Sequence, residues 1–235
     1  MPNSTSELPE WEQVLSSAAH LQRILPGAVL VGGTAAAIYA GHRLSTDADH
    51  VLTDLRQQFD HVLAELESVA GRTTARVRRP VQILGSLDGI ETGVRQLIRG
   101  RPLDTTEIER FGQRLTVPTL AEMLRIKAVL ILKRNATRDY LDFAALFDRM
   151  GDEEAVSALR SFDSIYSQPN GESALLQLQI QLAAPLPYDL DEVNLVEYKH
   201  LAQRWHDWSA VHSACAACAT LIFDRIVGGE ETKEV

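Results

Sequence analysis

The 235 residues are 45% hydrophobic and 23% charged, enough apolar material for one large domain or two small ones. A formal charge of −9 argues against general nucleic-acid binding, and two cysteines, three positions apart, exclude a disulfide framework. The opening Met1-Pro-Asn-Ser-Thr-Ser-Glu lacks the apolar core of a secretory leader, and the runs Ala128–Leu132 and Cys215–Phe223 are too short to span a bilayer, so a cytoplasmic chain without membrane contact is expected.

Met1–Pro9 reads as a fraying or disordered tail. From Trp11, the residues Val14, Leu15, Ala18, Leu21 and Ile24 recur at helical spacing until Pro26-Gly27 stops them. Ala28–Val31 is a short apolar run entering the Gly32-Gly33 turn, and alanine-rich Thr34–Ala40 restarts as helix. Asp47–Leu52 reads as a second strand. Leu55–Ala70 is an amphipathic helix burying Phe59, Val62, Leu63, Leu66 and Val69. Two strands, Pro80–Leu87 and Ile90–Ile98, meet at Asp88-Gly89, a hairpin signal, and another short pair is expected around Gly112.

After Pro118 the pattern is helical only. Thr119-Leu-Ala-Glu122 has the form of a capping box. Helices are predicted over Leu120–Arg134, Arg138–Met150, Asp152–Asp163, Leu175–Ala183 and Asn194–Ile226. The fold class is therefore α+β: an α/β domain with a small mixed sheet over 1–118, then a helical bundle over 119–235.

The segment Val31-Gly-Gly-Thr34 to Asp47-Ala-Asp49 carries the chemistry. Gly32 and Gly33 let the backbone approach a ligand closely, the next helix offers free amides to an anion, and Thr34 adds a hydroxyl. Asp47 and Asp49, two apart on a strand, leave the same face. Paired carboxylates repel unless a hard cation lies between them, and Mg²⁺ (or Mn²⁺) with triphosphate oxygens answers that need. A Gly-Gly turn or an Asp-x-Asp pair alone is commonplace; the ordered combination is far more specific. Glu91, the only acid on the second hairpin strand, is the candidate for a third metal ligand. Arg43, whose charge is permanent, is a further phosphate candidate, ahead of His42.

Charge supports this reading only in part. Arg72 to Arg138 holds 14 Lys+Arg against 6 Asp+Glu, whereas the remainder holds 9 against 26. Such a basic middle could hold phosphates or meet RNA, and equally fits scattered solvated arginines. Lys127 falls on the stripe of Leu120, Leu124 and Ile131, where a lysine either snorkels outward or meets a buried anion. Asp139 and Asp142 share a helix face. Asp139 reads as a catalytic or orienting carboxylate, or else as a helix-start charge beside Arg138, and Asp142 reads mainly as structural.

With these residues in view, the chain resembles the polymerase-beta-type nucleotidyltransferases, and within them the AbiEii/AbiGii toxin family. A second segment, Pro118-Thr-Leu-Ala-Glu-Met-Leu-Arg-Ile-Lys127 followed by Arg138-Asp139-Tyr-Leu-Asp142, is similar to that family's later signature. The resemblance spans roughly Val31 to Leu146. It implies an enzyme moving a nucleotide from a nucleoside triphosphate (NTP) to an acceptor, RNA and in particular the 3′ end of tRNA being the acceptor expected. It also implies a toxin held in check by a cognate antitoxin. In that scheme Asp47, Asp49, Lys127 and Asp139 are catalytic, while Gly32, Gly33, Thr34, Arg43, Lys127 and Arg138 hold the nucleotide. Two alternatives stand beside it: the same fold acting on a protein or small molecule, and an inactive nucleotide-binding or interaction module. His212, Cys215 and Cys218 follow one another along a single helix and cannot surround a metal tetrahedrally, so packing is expected there, as for Trp205 and Trp208.

Overall fold

The computed structural model describes residues 8–227, so residues 1–7 of the expected tail lie outside it. The architecture is α+β, as expected, and the chain divides into two compact units. The first comprises residues up to Ile38, Leu44–Ile98 and Pro102–Thr119; the second comprises Tyr39–Arg43, Arg99–Arg101 and everything from Leu120.

The first unit begins with α1 (Leu8–Ile24), β1 (Val29–Leu30), α2 (Gly32–Ala40, its last two residues in the second unit) and β2 (Asp47–Leu52). Then follow α3 (Leu55–Glu67), β3 (Arg72–Arg78), β4 (Gln82–Leu87), β5 (Ile90–Gln96), β6 (Thr105–Arg110) and β7 (Gln113–Pro118). Five strands form one sheet in the order β1-β2-β5-β4-β3; β2 and β5 run parallel and the other pairs antiparallel. The sixth and seventh strands make the hairpin expected around Gly112, whose φ of +68° suits glycine at its tip.

Period-two alternation gives the sheet its two faces. Leu52, Ile83, Leu87 and Val94 project to one side and join Leu21 and Leu25 of α1 with Leu55, Phe59, Val62 and Leu66 of α3 in a single core. The α3 residues recur at spacings of four, three and four, which makes one helical stripe. Burying each such side chain contributes about 1.5–3 kcal/mol before entropy is counted. Asp47, Asp49 and Val51 occupy the opposite face of β2.

Strand β3 was not expected. Arg-Thr-Thr-Ala-Arg-Val-Arg shows no apolar alternation because it is an edge strand, mostly exposed, that owes its place to pairing with β4.

The second unit is helical: α4 (Leu120–Arg134), α5 (Thr137–Met150), α6 (Asp152–Leu159), α7 (Phe162–Ile165), α8 (Ala174–Ala183) and α9 (Trp208–Ile222). The single helix predicted over Asp152–Asp163 is thus two. The long helix predicted over Asn194–Ile226 is also corrected. Two 3-10 turns, Leu195–Glu197 and Gln203–Trp205, precede α9, and a π-turn over Phe223–Val227 ends it. His200 at φ +54° breaks any continuous helix, and Asp207 caps the restart by accepting from the Ser209 amide at 2.9 Å. Cys215, Cys218 and Trp205 are buried, and Trp208 meets Tyr140 edge-on with ring centroids 6.0 Å apart.

Candidate active site

In the first unit, Asp47 and Asp49 project from one face of β2 with half-buried side chains. The Ser45 hydroxyl donates to Asp47 Oδ1 at 2.6 Å. The Thr34 hydroxyl donates to the Asp47 carbonyl, tying the start of α2 to the start of β2. Gly32 has φ +74°, and a Cβ there would lie 3.4 Å from Asp49 Cβ, so the Gly32–Thr34 turn and the carboxylate pair adjoin one another.

Gly93 of β5 pairs in register with Asp49. A Cβ at Gly93 would stand 2.3 Å from Asp49 Oδ1, so the carboxylate fills space that any other residue would need. The Arg95 guanidinium, two residues on along the same face, lies 3.7 Å from Asp49 Oδ1 and offsets part of the repulsion between the two acids.

Two hard carboxylates on one face, with room made for one of them, suit Mg²⁺ or Mn²⁺. Glu91 sits opposite Asp47 in the β2–β5 register and so on the same face, exposed. Even so, no three acidic, histidine or cysteine side chains close into a group among the described residues.

A second cluster is built inside the helical unit around Asp142, which is fully buried. Its Oδ1 accepts from His42 Nε2 at 2.7 Å and from Arg43 Nε at 2.8 Å. Its Oδ2 accepts from Arg43 Nη2 at 3.1 Å and faces Lys127 Nζ at 2.7 Å. Lys127 is only 2% exposed, so it meets a buried anion rather than snorkelling, and that anion is a side chain of the protein itself. Burial alone would raise the Asp142 carboxyl, but Lys127, Arg43 and His42 outweigh it and hold the group well below the usual carboxylate range.

Asp139, also fully buried, accepts from Arg134 Nε and Nη2 at 2.9 and 2.6 Å, and lies 3.8 Å from Lys127 Nζ. Arg43 also stacks over Tyr198, 5.6 Å from the ring centroid. Arg138, by contrast, is exposed. Arg43, Lys127 and Arg134 thus surround two buried carboxylates.

The expected residues therefore fall into two groups: Gly32, Gly33, Thr34, Asp47, Asp49 and Glu91 in the first unit, and Arg43, Lys127, Arg138 and Asp139 in the second. Ser45, Gly93 and Arg95 were not anticipated. A small residue on the second strand of the Asp88-Gly89 hairpin was the only available sign of Gly93.

The profile of the nucleotidyl transferase AbiEii toxin family, a type IV toxin–antitoxin system, matches residues 14–210. The heme uptake protein MmpL11 of Mycobacterium tuberculosis (strain H37Rv) is 31% identical over 227 residues, covering 90% of this chain and 22% of that protein. The mycolic acid-containing lipids exporter MmpL11 of Mycolicibacterium smegmatis is 34% identical over 129 residues, covering 54% of this chain and 13% of that protein. The chain therefore spans about a fifth or less of the length of the curated relatives it matches. No helix among the described residues is long and apolar enough to cross a membrane. Among solved structures, JHP933 from Helicobacter pylori is similar in fold, with a TM-score of 0.55 at 15% identity over 98% of this chain and 97% of that one. The family profile covers both segments singled out above, and the chain belongs to the AbiEii nucleotidyltransferase toxin family.

Proposed function

We propose that this chain transfers a nucleoside monophosphate from an NTP to the 3′ end of an RNA, tRNA being the leading acceptor, as the toxin of a toxin–antitoxin pair. The observation that carries the reading is the pairing of Asp47 and Asp49 on one strand face, with Gly93 cleared beside them and the Gly32–Thr34 turn against them. Asp47 and Asp49 hold the divalent ion, with Glu91 the nearest acid in register. When bound, the ion draws charge from the phosphate oxygens and makes the α-phosphorus easier to attack.

The amides at the start of α2 face the phosphates, and Ser45 and Thr34 hold the first carboxylate strand in place. In the helical unit, Lys127, Arg43 and Arg138 are the cations proposed for phosphate, and Asp139, its two oxygens held by Arg134, keeps Lys127 in place. The acceptor hydroxyl gives up its proton to solvent as the oxygen bonds to the α-phosphorus. The bond to the β-phosphate oxygen breaks, and pyrophosphate leaves. Most of the rate comes from positioning and electrostatics.

The test is to incubate the purified chain with each α-labelled triphosphate, Mg²⁺ or Mn²⁺, and total RNA. Label at the 3′ end of tRNA-sized RNA is the expected result. Label on protein or on a small molecule would move the acceptor to the alternative class. No transfer to any acceptor would overturn the reading.

A further inference from the structure

The acidic pair does not sit alone on its face of the sheet. In the register of the strands, one row across that face is Asp47, Glu91, Ser86 and Thr73; the next is Asp49, Gly93, Leu84 and Arg76; the third is Val51, Arg95, Gln82 and Arg78. All the acids in these rows occupy the corner made by β2 and β5. All the arginines lie across or further along the strands. At about 4.8 Å per strand, Arg76 is roughly 14 Å from Asp49 at the backbone, and Arg78 is one row of about 7 Å beyond.

Two of these arginines face this way because of one extra residue. The β3–β4 pairing slips between Thr74 and Arg76, so that Ala75 has no partner. Without that bulge, Arg76 and Arg78 would turn to the core face and Val77 would turn away from it. The bulge is built in: a Cβ at Gly85, opposite Thr74, would lie 2.0 Å from the Thr73 carbonyl.

Neighbouring Arg79 is engaged by Asp60. The side chains of Arg76 and Arg78 are exposed and make no ion pair or hydrogen bond to any described residue, and the Arg95 side chain is 45% exposed. Arginines collected on an exposed face, two of them with no carboxylate partner among the described residues, point to an anionic partner with repeating charges.

We propose that this face is the track for the sugar–phosphate backbone of a single RNA strand, its 3′ end at Asp47 and Asp49 and its upstream phosphates on Arg95, Arg76 and Arg78. The inference rests on the RNA-acceptor reading above and adds the surface and the direction of the strand. It would also let a chain of net charge −9 hold RNA, since Arg95, Arg76 and Arg78 share one face.

The experiment measures fluorescence anisotropy of an end-labelled tRNA and of a short single-stranded RNA with the full chain, across a salt series. Arg76→Glu/Arg78→Glu is expected to weaken RNA binding by tenfold or more. It should also flatten the salt dependence by between one and two logarithmic units per decade, as expected when about two phosphate contacts are lost. The affinity for labelled NTP should not change.

Arg76→Lys/Arg78→Lys should bind RNA nearly as the parent does. Arg110→Glu/Arg114→Glu, the same charge change on the β6–β7 hairpin, should have little effect. Equal losses in the two reversal variants, or none in Arg76→Glu/Arg78→Glu, would overturn the track while leaving the RNA acceptor standing. If the parent chain binds no RNA at all, the acceptor reading fails and the track falls with it.

Discussion

Asp49→Asn is expected to cut nucleotide transfer by at least about 10²–10³-fold, with the fold left intact. The substitution keeps the shape of the side chain, so it still fits the space beside Gly93, but it removes one of the two negative charges on that face of β2. Its one ion-pair partner among the described residues is Arg95 at 3.7 Å, and that pair is partly exposed, so its loss costs under about 1 kcal/mol. Single-turnover transfer and a thermal melt, measured together, check the prediction. Parental rates with an unchanged melt would refute the assignment of Asp49 to the reacting centre.

Asp142→Asn is expected to act first on the fold, destabilising the chain by about 3–5 kcal/mol, or a fall in melting temperature of roughly 6–20 °C. The asparagine takes the shared carboxylate from buried Lys127 and Arg43 and leaves Lys127 facing Asp139 at 3.8 Å. Because the Asp142 carboxyl is held below its ordinary value, its stabilising contribution is complete above the unfolded carboxylate range near pH 4. It is lost only as pH falls through the depressed folded value, so the difference between parent and variant should shrink in strong acid. Lys127→Met tests the other partner. It keeps length, leaves Asp142 with His42 and Arg43, and should weaken triphosphate binding by roughly tenfold to a hundredfold. Urea melts at neutral and acidic pH, with triphosphate titrations, separate the two effects. An Asp142→Asn variant as stable as the parent would mean that the buried cations find other partners.

Much of the carboxylate site was legible because it is local. Gly32, Gly33, Asp47 and Asp49 lie within one β-strand–turn–helix–strand segment, where period and spacing carry the information. The helical cluster was legible only by type. An apolar stripe that includes Lys127 leaves a snorkelling lysine or a buried anion open, and nothing in the spacing says that Asp142 will be that anion. Nor does spacing show that a histidine and an arginine about a hundred residues upstream will share it. For that reason Asp142 read as mainly structural, but without named partners. Strand β3 went unread because an edge strand is defined by its partner's hydrogen bonds, and its side chains need not alternate. The broken helix after Asn194 depends on His200 and Asp207, whose local geometry overrides the apolar pattern.

The way the chain is shared between its two units bears on how the molecule can be taken apart. Tyr39–Arg43 and Arg99–Arg101 belong to the helical unit although they come from the first half of the sequence. Through them Asp142 receives His42 and Arg43, and fully buried Glu122 receives Arg99 at 2.6 Å. A fragment starting at Leu120 would contain both carboxylates, yet Asp142 would keep only Lys127 and Glu122 only Arg125 of these cationic partners. The C-terminal half is therefore not a severable module, and binding measurements on that half alone would probe a unit missing part of its own interior.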